Sequence, residues 1–213
     1  MPFYIIMIFV SFISSLISLT VKENRPFFRY FPFLLIVTVS IEYYSWYLGE
    51  KGRSNVIIYN LYTVYEFGFY LFFLRMLIGR YYKSKIILIT ILTYLLLTLF
   101  NIFFIQGLEV FHTYTYILGS LVIVTLCIIY FNYFVRFTIT RNLFREPIFW
   151  IVTGLLFSYA FSLPLVGITN FVTSVPQRYQ HILEFAINFM NILLYLLFTI
   201  GFLCKINILK LLS

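Results

Sequence analysis

Three glutamates lie inside long apolar stretches of the chain: Glu42, Glu66 and Glu184. A charged side chain at the centre of a membrane-spanning helix costs about 2.5–3.5 kcal/mol on insertion scales, so such residues mark functional sites. Glu66 lies deepest, about 15 Å from the start of its stretch at the α-helical rise. Because desolvation favours the neutral form of a carboxyl group, we expect Glu66 to accept a proton or to contact a ligand.

The last apolar stretch carries a row of polar residues at spacings of 3, 4, 3 and 4: His181, Glu184, Asn188, Asn191 and Tyr195. At about 100° per residue, the five side chains project within an arc of about 80°. Such a row cannot face lipid and must face protein or water. We expect the His181 end to face a site, and the end from Asn188 onward to form interhelical hydrogen bonds.

Two further rows lie on the second and third stretches. The third carries Asn55, Tyr59, Tyr62 and Glu66 at spacings of 4, 3 and 4, and the second carries Glu42 beside Thr38 and Ser45. All three rows are weighted toward the same end of the predicted helices. This predicts an outward-opening, tyrosine-rich cavity with these ligand-binding or proton-handling residues: Glu42, Glu66, Tyr62, Tyr59, Glu184 and Asn188. The alternative is a set of hydrogen bonds that only join the helices.

A metal site is a weaker alternative for the same end of the chain. Glu109-x-x-His112 and His181-x-x-Glu184 each place a carboxylate and an imidazole one helical turn apart. Two histidines and two carboxylates can bind a divalent transition metal. Interfacial polar residues and helix caps explain the same spacing more simply. We therefore predict no cofactor, and keep these four residues as candidate ligands.

Several classes of protein are disfavoured by the sequence. A retinal protein needs a buried lysine for its Schiff base, and the last stretch has none before Lys205. No P-loop, GxSxG, HExxH or GxGxxG pattern is present. No catalytic residue is therefore assigned, and an enzyme is not the expected class.

The composition sets the fold class. The chain is 62% hydrophobic and only 10% charged, with a mean hydropathy of +0.99. A soluble domain cannot bury this much apolar surface, so we predict an all-α, polytopic membrane protein forming a single bundle over residues 1–213. Seven apolar stretches define its helices: about 3–20, 31–48, 56–78, 86–105, 113–135, 147–168 and 180–203.

The basic residues predict the orientation. Twelve of the fifteen lie in or beside one alternate set of loops and the C-terminus: Lys22, Arg25, Arg29, Arg75, Arg80, Lys83, Lys85, Arg136, Arg141, Arg145, Lys205 and Lys210. Since basic loops stay cytoplasmic, we predict the N-terminus outside and the C-terminus inside. This distribution also explains the +8 net charge without a nucleic-acid partner. No basic residue precedes the first stretch, which we expect to be a retained helix.

Short motifs in four stretches carry a resemblance to a known group of proteins. They are Tyr59-Asn60 with Glu66, Tyr116 with Gly119-Ser120, Phe149-Trp150 with Gly154, and Gly201-Phe202. The chain resembles uncharacterised seven-helix membrane proteins common in Bacteroidota. The resemblance implies a seven-helix topology in a bacterial inner membrane, and it transfers no site.

Three functions remain open from the sequence. The leading hypothesis is a ligand-binding or sensory membrane protein with an outward-facing cavity, which signals to a cytoplasmic partner through its basic inner loops. The second is a small-solute or proton-coupled transporter that uses Glu66. The third is an intramembrane metalloenzyme built on Glu109, His112, His181 and Glu184.

Overall fold

The structure is a computed structural model that describes residues 2–20, 26–79, 84–137, 143–171 and 177–210. These residues form helices and short connections, with no strand among them. Seven α-helices follow the predicted stretches: α1 (Phe3–Leu19), α2 (Phe31–Glu50), α3 (Val56–Ile78), α4 (Ser84–Phe100), α5 (Thr113–Phe137), α6 (Pro147–Phe171) and α7 (Gln177–Lys210). A π-helical turn, Asn101–Ile105, extends α4.

Six of the helices, α2 to α7, contain segments long and apolar enough to cross a bilayer. The seventh, α1, has 17 residues and is equally apolar but shorter than the usual span of about 20 residues. The helices are therefore compatible with a multi-pass integral membrane protein.

The helices pack in a closed cycle of six, with one helix outside it. Going round the cycle, the order of contact is α1, α2, α3, α5, α6 and α7, and α7 packs back against α1. Helix α4 packs outside this cycle against α3 and α5. One end of the bundle, where α1 begins and α2 ends, contains Glu42; we call it the Glu42 end. The opposite end contains Lys205 and is called the Lys205 end.

Aromatic side chains fill the cycle toward the Lys205 end. Phe31 is fully buried at the start of α2. Its ring meets four other rings edge to face, at centroid distances of 5.1–5.7 Å: Phe69, Phe73, Phe198 and Phe202. Each such pair contributes about 0.5–1.5 kcal/mol beyond the apolar area that it buries. Phe31 therefore fixes α2, α3 and α7 relative to one another.

Lys205 is buried, although the sequence placed it among the basic residues that flank the inner loops. Only 3% of the residue is exposed. Its Nζ donates a hydrogen bond of 2.8 Å to the carbonyl of Ser18 and lies 4.6 Å from the centre of the Phe28 ring. The last carbonyls of a helix lack partners within the helix, so Lys205 ties the end of α1 to α7.

Two boundaries differ from the prediction. The sixth helix was predicted to end at about residue 168, but α6 continues through Pro164 to Phe171. Helix α7 begins at Gln177 and has 34 residues, or about 51 Å at the α-helical rise. The predicted loop at 169–180 is thus largely helical, and its remaining part, 172–176, lies outside the described residues. Five of the basic residues that were used to predict the orientation also lie outside the described residues: Lys22, Arg25, Arg80, Lys83 and Arg141.

The close approach of α6 and α7 depends on Gly201. A Cβ at this position would lie 2.9 Å from the carbonyl oxygen of Pro147 and 3.0 Å from Cγ1 of Ile151. We predict that Gly201→Ala lowers the free energy of unfolding by about 1–3 kcal/mol, because the backbone of α6 cannot move away cheaply. Thermal unfolding of the purified protein measures the change.

Gly68→Ala is the matched control. No atom lies within 4 Å of a Cβ at Gly68, and alanine favours a helix over glycine by about 1 kcal/mol. We expect this variant to melt at or above the temperature of the wild-type protein. Equal destabilisation by the two substitutions would contradict the packing of α6 on α7.

Candidate functional site

Glu42 is held by tyrosines from two other helices. Its Oε2 accepts a hydrogen bond of 3.0 Å from the Tyr4 hydroxyl of α1 and one of 2.8 Å from the Tyr59 hydroxyl of α3. Only 9% of Glu42 is exposed. Both bonds reach the same oxygen, and Oε1 has no hydrogen-bond partner among the described residues. Glu42 thus joins three helices and keeps one acceptor oxygen unused.

Glu66 lies deeper in the bundle, in the middle of α3. The Tyr70 hydroxyl donates to its Oε1 at 3.3 Å, and the Tyr62 and Tyr159 hydroxyls also lie within reach of the carboxyl group. Protein surrounds the side chain, yet the residue retains solvent-accessible surface. Glu66 is therefore enclosed by protein without being completely sealed from solvent.

Tyrosines from five helices surround Glu66. Each interacts electrostatically with its carboxyl group, and we call this set the tyrosine cage: Tyr62, Tyr70, Tyr94, Tyr116, Tyr159 and Tyr195. Their rings also pack together, with centroid distances of 5.9 Å between Tyr70 and Tyr159 and 6.4 Å between Tyr116 and Tyr159. The carboxyl group is therefore enclosed by aromatic rings that carry hydroxyl groups.

A threonine near Glu42 contacts a tyrosine of the cage. The Thr38 hydroxyl lies one turn before Glu42 on α2 and donates to the Leu34 carbonyl at 2.9 Å. It is also 2.9 Å from the Tyr62 hydroxyl. Since a hydroxyl has one proton, Tyr62 must be the donor in the second bond. The two carboxyl groups are close enough to repel each other when both are charged, so Glu42 and Glu66 are coupled through space.

Neither glutamate has an ion-pair partner in the described parts of the chain. A third polar group also lacks a partner: the Ser45 Oγ is fully buried one turn after Glu42, close to the Tyr59 hydroxyl, and makes no hydrogen bond. Buried polar atoms without partners are costly. The arrangement can hold protons on the carboxyl groups or accept a ligand that supplies hydrogen-bond donors.

The structure brings together four of the six residues that the sequence nominated for the cavity: Glu42, Glu66, Tyr59 and Tyr62. Glu184 is elsewhere, with 73% of its side chain exposed and its Oε2 3.9 Å from Nδ1 of His181. Asn188 is partly exposed and has no hydrogen bond to another described side chain or backbone group.

Four tyrosines of the site were missed by the sequence analysis: Tyr4, Tyr70, Tyr94 and Tyr159. Signals existed for three of them. Tyr70 continues the row on the third stretch by one more step of four residues, and Tyr4 and Tyr159 are the only tyrosines of the first and sixth stretches. The single tyrosine of a predicted helix could have been nominated as a partner for a buried carboxyl group.

His112 and Glu109 belong to a connection that Asn60 organises. The Asn60 Nδ2 donates to the carbonyls of Leu108 and Val110 at 3.0 and 2.9 Å, and its Oδ1 accepts from the His112 backbone N–H at 3.0 Å. The His112 ring is buried, with Nε2 2.6 Å from the Gly107 carbonyl, whereas Glu109 is exposed.

The metal site predicted from Glu109, His112, His181 and Glu184 stays a prediction. No group of three or more histidine, cysteine or acidic side chains is close enough to hold a metal ion among the described residues.

The comparisons with known proteins add no relative. No protein family, no curated protein and no solved structure matches the chain. The functional argument therefore rests on the site itself.

Replacement of Asn60 tests the anchoring of the connection between α4 and α5. We predict that Asn60→Ala destabilises the protein by about 1–3 kcal/mol, because it leaves two carbonyls and an N–H group without partners. Hydrogen exchange of residues 106–112 should accelerate as well. Asn188→Ala is the control, since its side chain anchors no described group, and should change stability by less than about 0.5 kcal/mol. Unchanged exchange at 106–112 would contradict the anchoring role of Asn60.

Proposed function

We propose that this chain is a multi-pass integral membrane protein that binds a polar ligand inside its bundle, in the space lined by Glu42, Glu66 and the tyrosine cage. The observation that carries the proposal is the pair of buried carboxyl groups, which tyrosine hydroxyls hold and which have no ion-pair partner among the described residues. Ionisable groups without counter-ions inside a membrane protein mark substrate or proton pathways.

The proposed topology has seven spans, with α1 as the first, the Glu42 end outside and the Lys205 end in the cytoplasm of a bacterium. The distribution of basic residues along the sequence supports this orientation. The resemblance to seven-helix proteins of Bacteroidota implies the number of spans. In this orientation the ligand enters from outside, and a sensory role requires a cytoplasmic partner at the basic Lys205 end.

A second candidate function is a proton-coupled transporter of a small solute. What favours it is the series of polar side chains along the bundle axis. Hydrogen bonds join Tyr59 to Glu42, Tyr62 to Thr38 and Tyr70 to Glu66, and the two carboxyl groups interact electrostatically. A transporter requires this path to open to both faces in turn, whereas a sensor requires access from one face only.

Cysteine accessibility tests both functions. Glu66→Cys, in a background of Cys127→Ala and Cys204→Ala, is treated with a membrane-impermeant cationic methanethiosulfonate added to one side of sealed vesicles. We predict modification from the Glu42 side, because Glu66 is not completely sealed from solvent. Phe198→Cys is the control and should stay unmodified, since Phe198 is fully buried in the aromatic core.

The outcomes separate the two functions. Modification from the Glu42 side alone supports a ligand-binding protein, and modification from both sides supports a transporter. If Glu66→Cys reacts no faster than Phe198→Cys from either side, the proposal of a ligand site inside the bundle is wrong. Size-exclusion chromatography of each variant checks that it is folded.

A further inference from the structure

We infer that the ligand is an organic cation, such as an amine or a quaternary ammonium compound, and that it enters in exchange for a proton held by the two glutamates. This inference rests on the proposed ligand site and names the class of ligand. It follows from three properties of that site: its charge, an acidic oxygen that has no donor, and its aromatic walls.

The charge of the site favours a cation. The two carboxyl groups lie within range of mutual repulsion, and neither has an ion-pair partner in the described residues. Lys205 is buried at the opposite end of the bundle, bound to Ser18. An anionic ligand would be repelled, whereas a cation removes the repulsion between the two carboxylates.

Several hydroxyl groups of the site are already committed as donors. Tyr4 and Tyr59 donate to Glu42, Tyr70 donates to Glu66, and Tyr62 donates to Thr38. Oε1 of Glu42 is an acceptor without a hydrogen-bond partner among the described residues. The buried Ser45 hydroxyl, which can donate or accept, also makes no hydrogen bond. An ammonium group offers only donors or bare positive charge, which suits the unpaired carboxyl oxygen.

The walls of the site are aromatic. Phe67 packs edge to face against Tyr116 and Tyr159, with ring centroids 5.4 and 5.1 Å apart. Phe67 immediately follows Glu66, and both tyrosines belong to the cage. The faces of aromatic rings attract cations, most strongly where water is excluded, and cages of such rings recognise quaternary ammonium groups.

The proton that is exchanged for the cation comes from one of the two carboxyl groups. The titratable groups that face the site from the helices around it are Tyr4, Glu42, Tyr59, Tyr62, Glu66, Tyr70, Tyr94, Tyr116, Tyr159 and Tyr195. Tyrosine hydroxyls keep their protons at neutral pH. The empty site therefore holds at least one carboxylic acid, since two uncompensated carboxylates in an apolar bundle are costly. On binding, the acid releases its proton to water and the carboxylate pairs with the cation, so the net charge of the site is unchanged.

Isothermal titration calorimetry of the full-length protein in zwitterionic nanodiscs tests the inference, with tetramethylammonium as the probe. Titrations at one pH in two buffers of different ionisation enthalpy give the number of protons released. We expect release of about one proton per cation bound, and an affinity that rises about tenfold per pH unit while the acid form dominates.

Two variants test the role of the glutamates. In Glu66→Gln, cation binding should no longer release a proton, and the affinity for tetramethylammonium should fall by about tenfold or more. Glu50→Gln, an exposed glutamate on the same helix as Glu42, should match the wild-type protein.

Three results would overturn the inference in distinguishable ways. Equal heats in the two buffers would rule out proton exchange. Binding of sorbitol but not of tetramethylammonium, with Glu66→Cys still reactive, would rule out a cation and leave the ligand site intact. If neither tetramethylammonium nor sorbitol binds and Glu66→Cys does not react, the proposed ligand site is wrong as well. Glu42→Gln serves as a second neutralised variant if Glu66→Gln does not fold.

Discussion

A carboxyl group enclosed by apolar helices has to be protonated, hydrogen-bonded or paired with a cation, and the arrangement at the Glu42 end follows from that constraint. Tyrosine is suited to this environment, because its ring packs as part of the core while its hydroxyl donates to the acid. Glu42 receives hydroxyls from α1 and α3, and Glu66 receives one from its own helix. Neither acid has an ion-pair partner among the described residues, and the proposed ligand site is built on this pair of acids.

The opposite half of the bundle makes this arrangement rigid. Phe31 holds α2, α3 and α7 through four edge-to-face ring contacts. Lys205 fixes the end of α1 through the Ser18 carbonyl, and the start of the same helix is fixed by the bond from Tyr4 to Glu42. Helix α1 is thus tied at both ends, to the site at its start and beside the aromatic core at its end.

The sequence predicts the helices well and the site in part. Hydropathy alone places all seven helices, because apolar length is a local property. The row ending at Glu66 also identifies the inward face of α3. The row on α7 misleads at its His181 end, since that helix is longer than predicted and Glu184 is exposed. Periodicity fixes which residues share a face of a helix, but it cannot say what that face meets. For the same reason, Tyr4 and the anchoring role of Asn60 depend on contacts between residues far apart in the chain.

The protonation state of Glu66 in the empty protein is the most direct test of this account. Infrared difference spectroscopy of the wild-type protein and Glu66→Gln, each in H₂O and D₂O at neutral pH, detects the C=O stretch of a carboxylic acid. The account predicts a carboxylic-acid band in the wild-type protein. This band should shift in D₂O, because water reaches the site, and it should be lost or altered in Glu66→Gln. A wild-type spectrum with carboxylate bands only, unchanged by the substitution in the acid region, would contradict it.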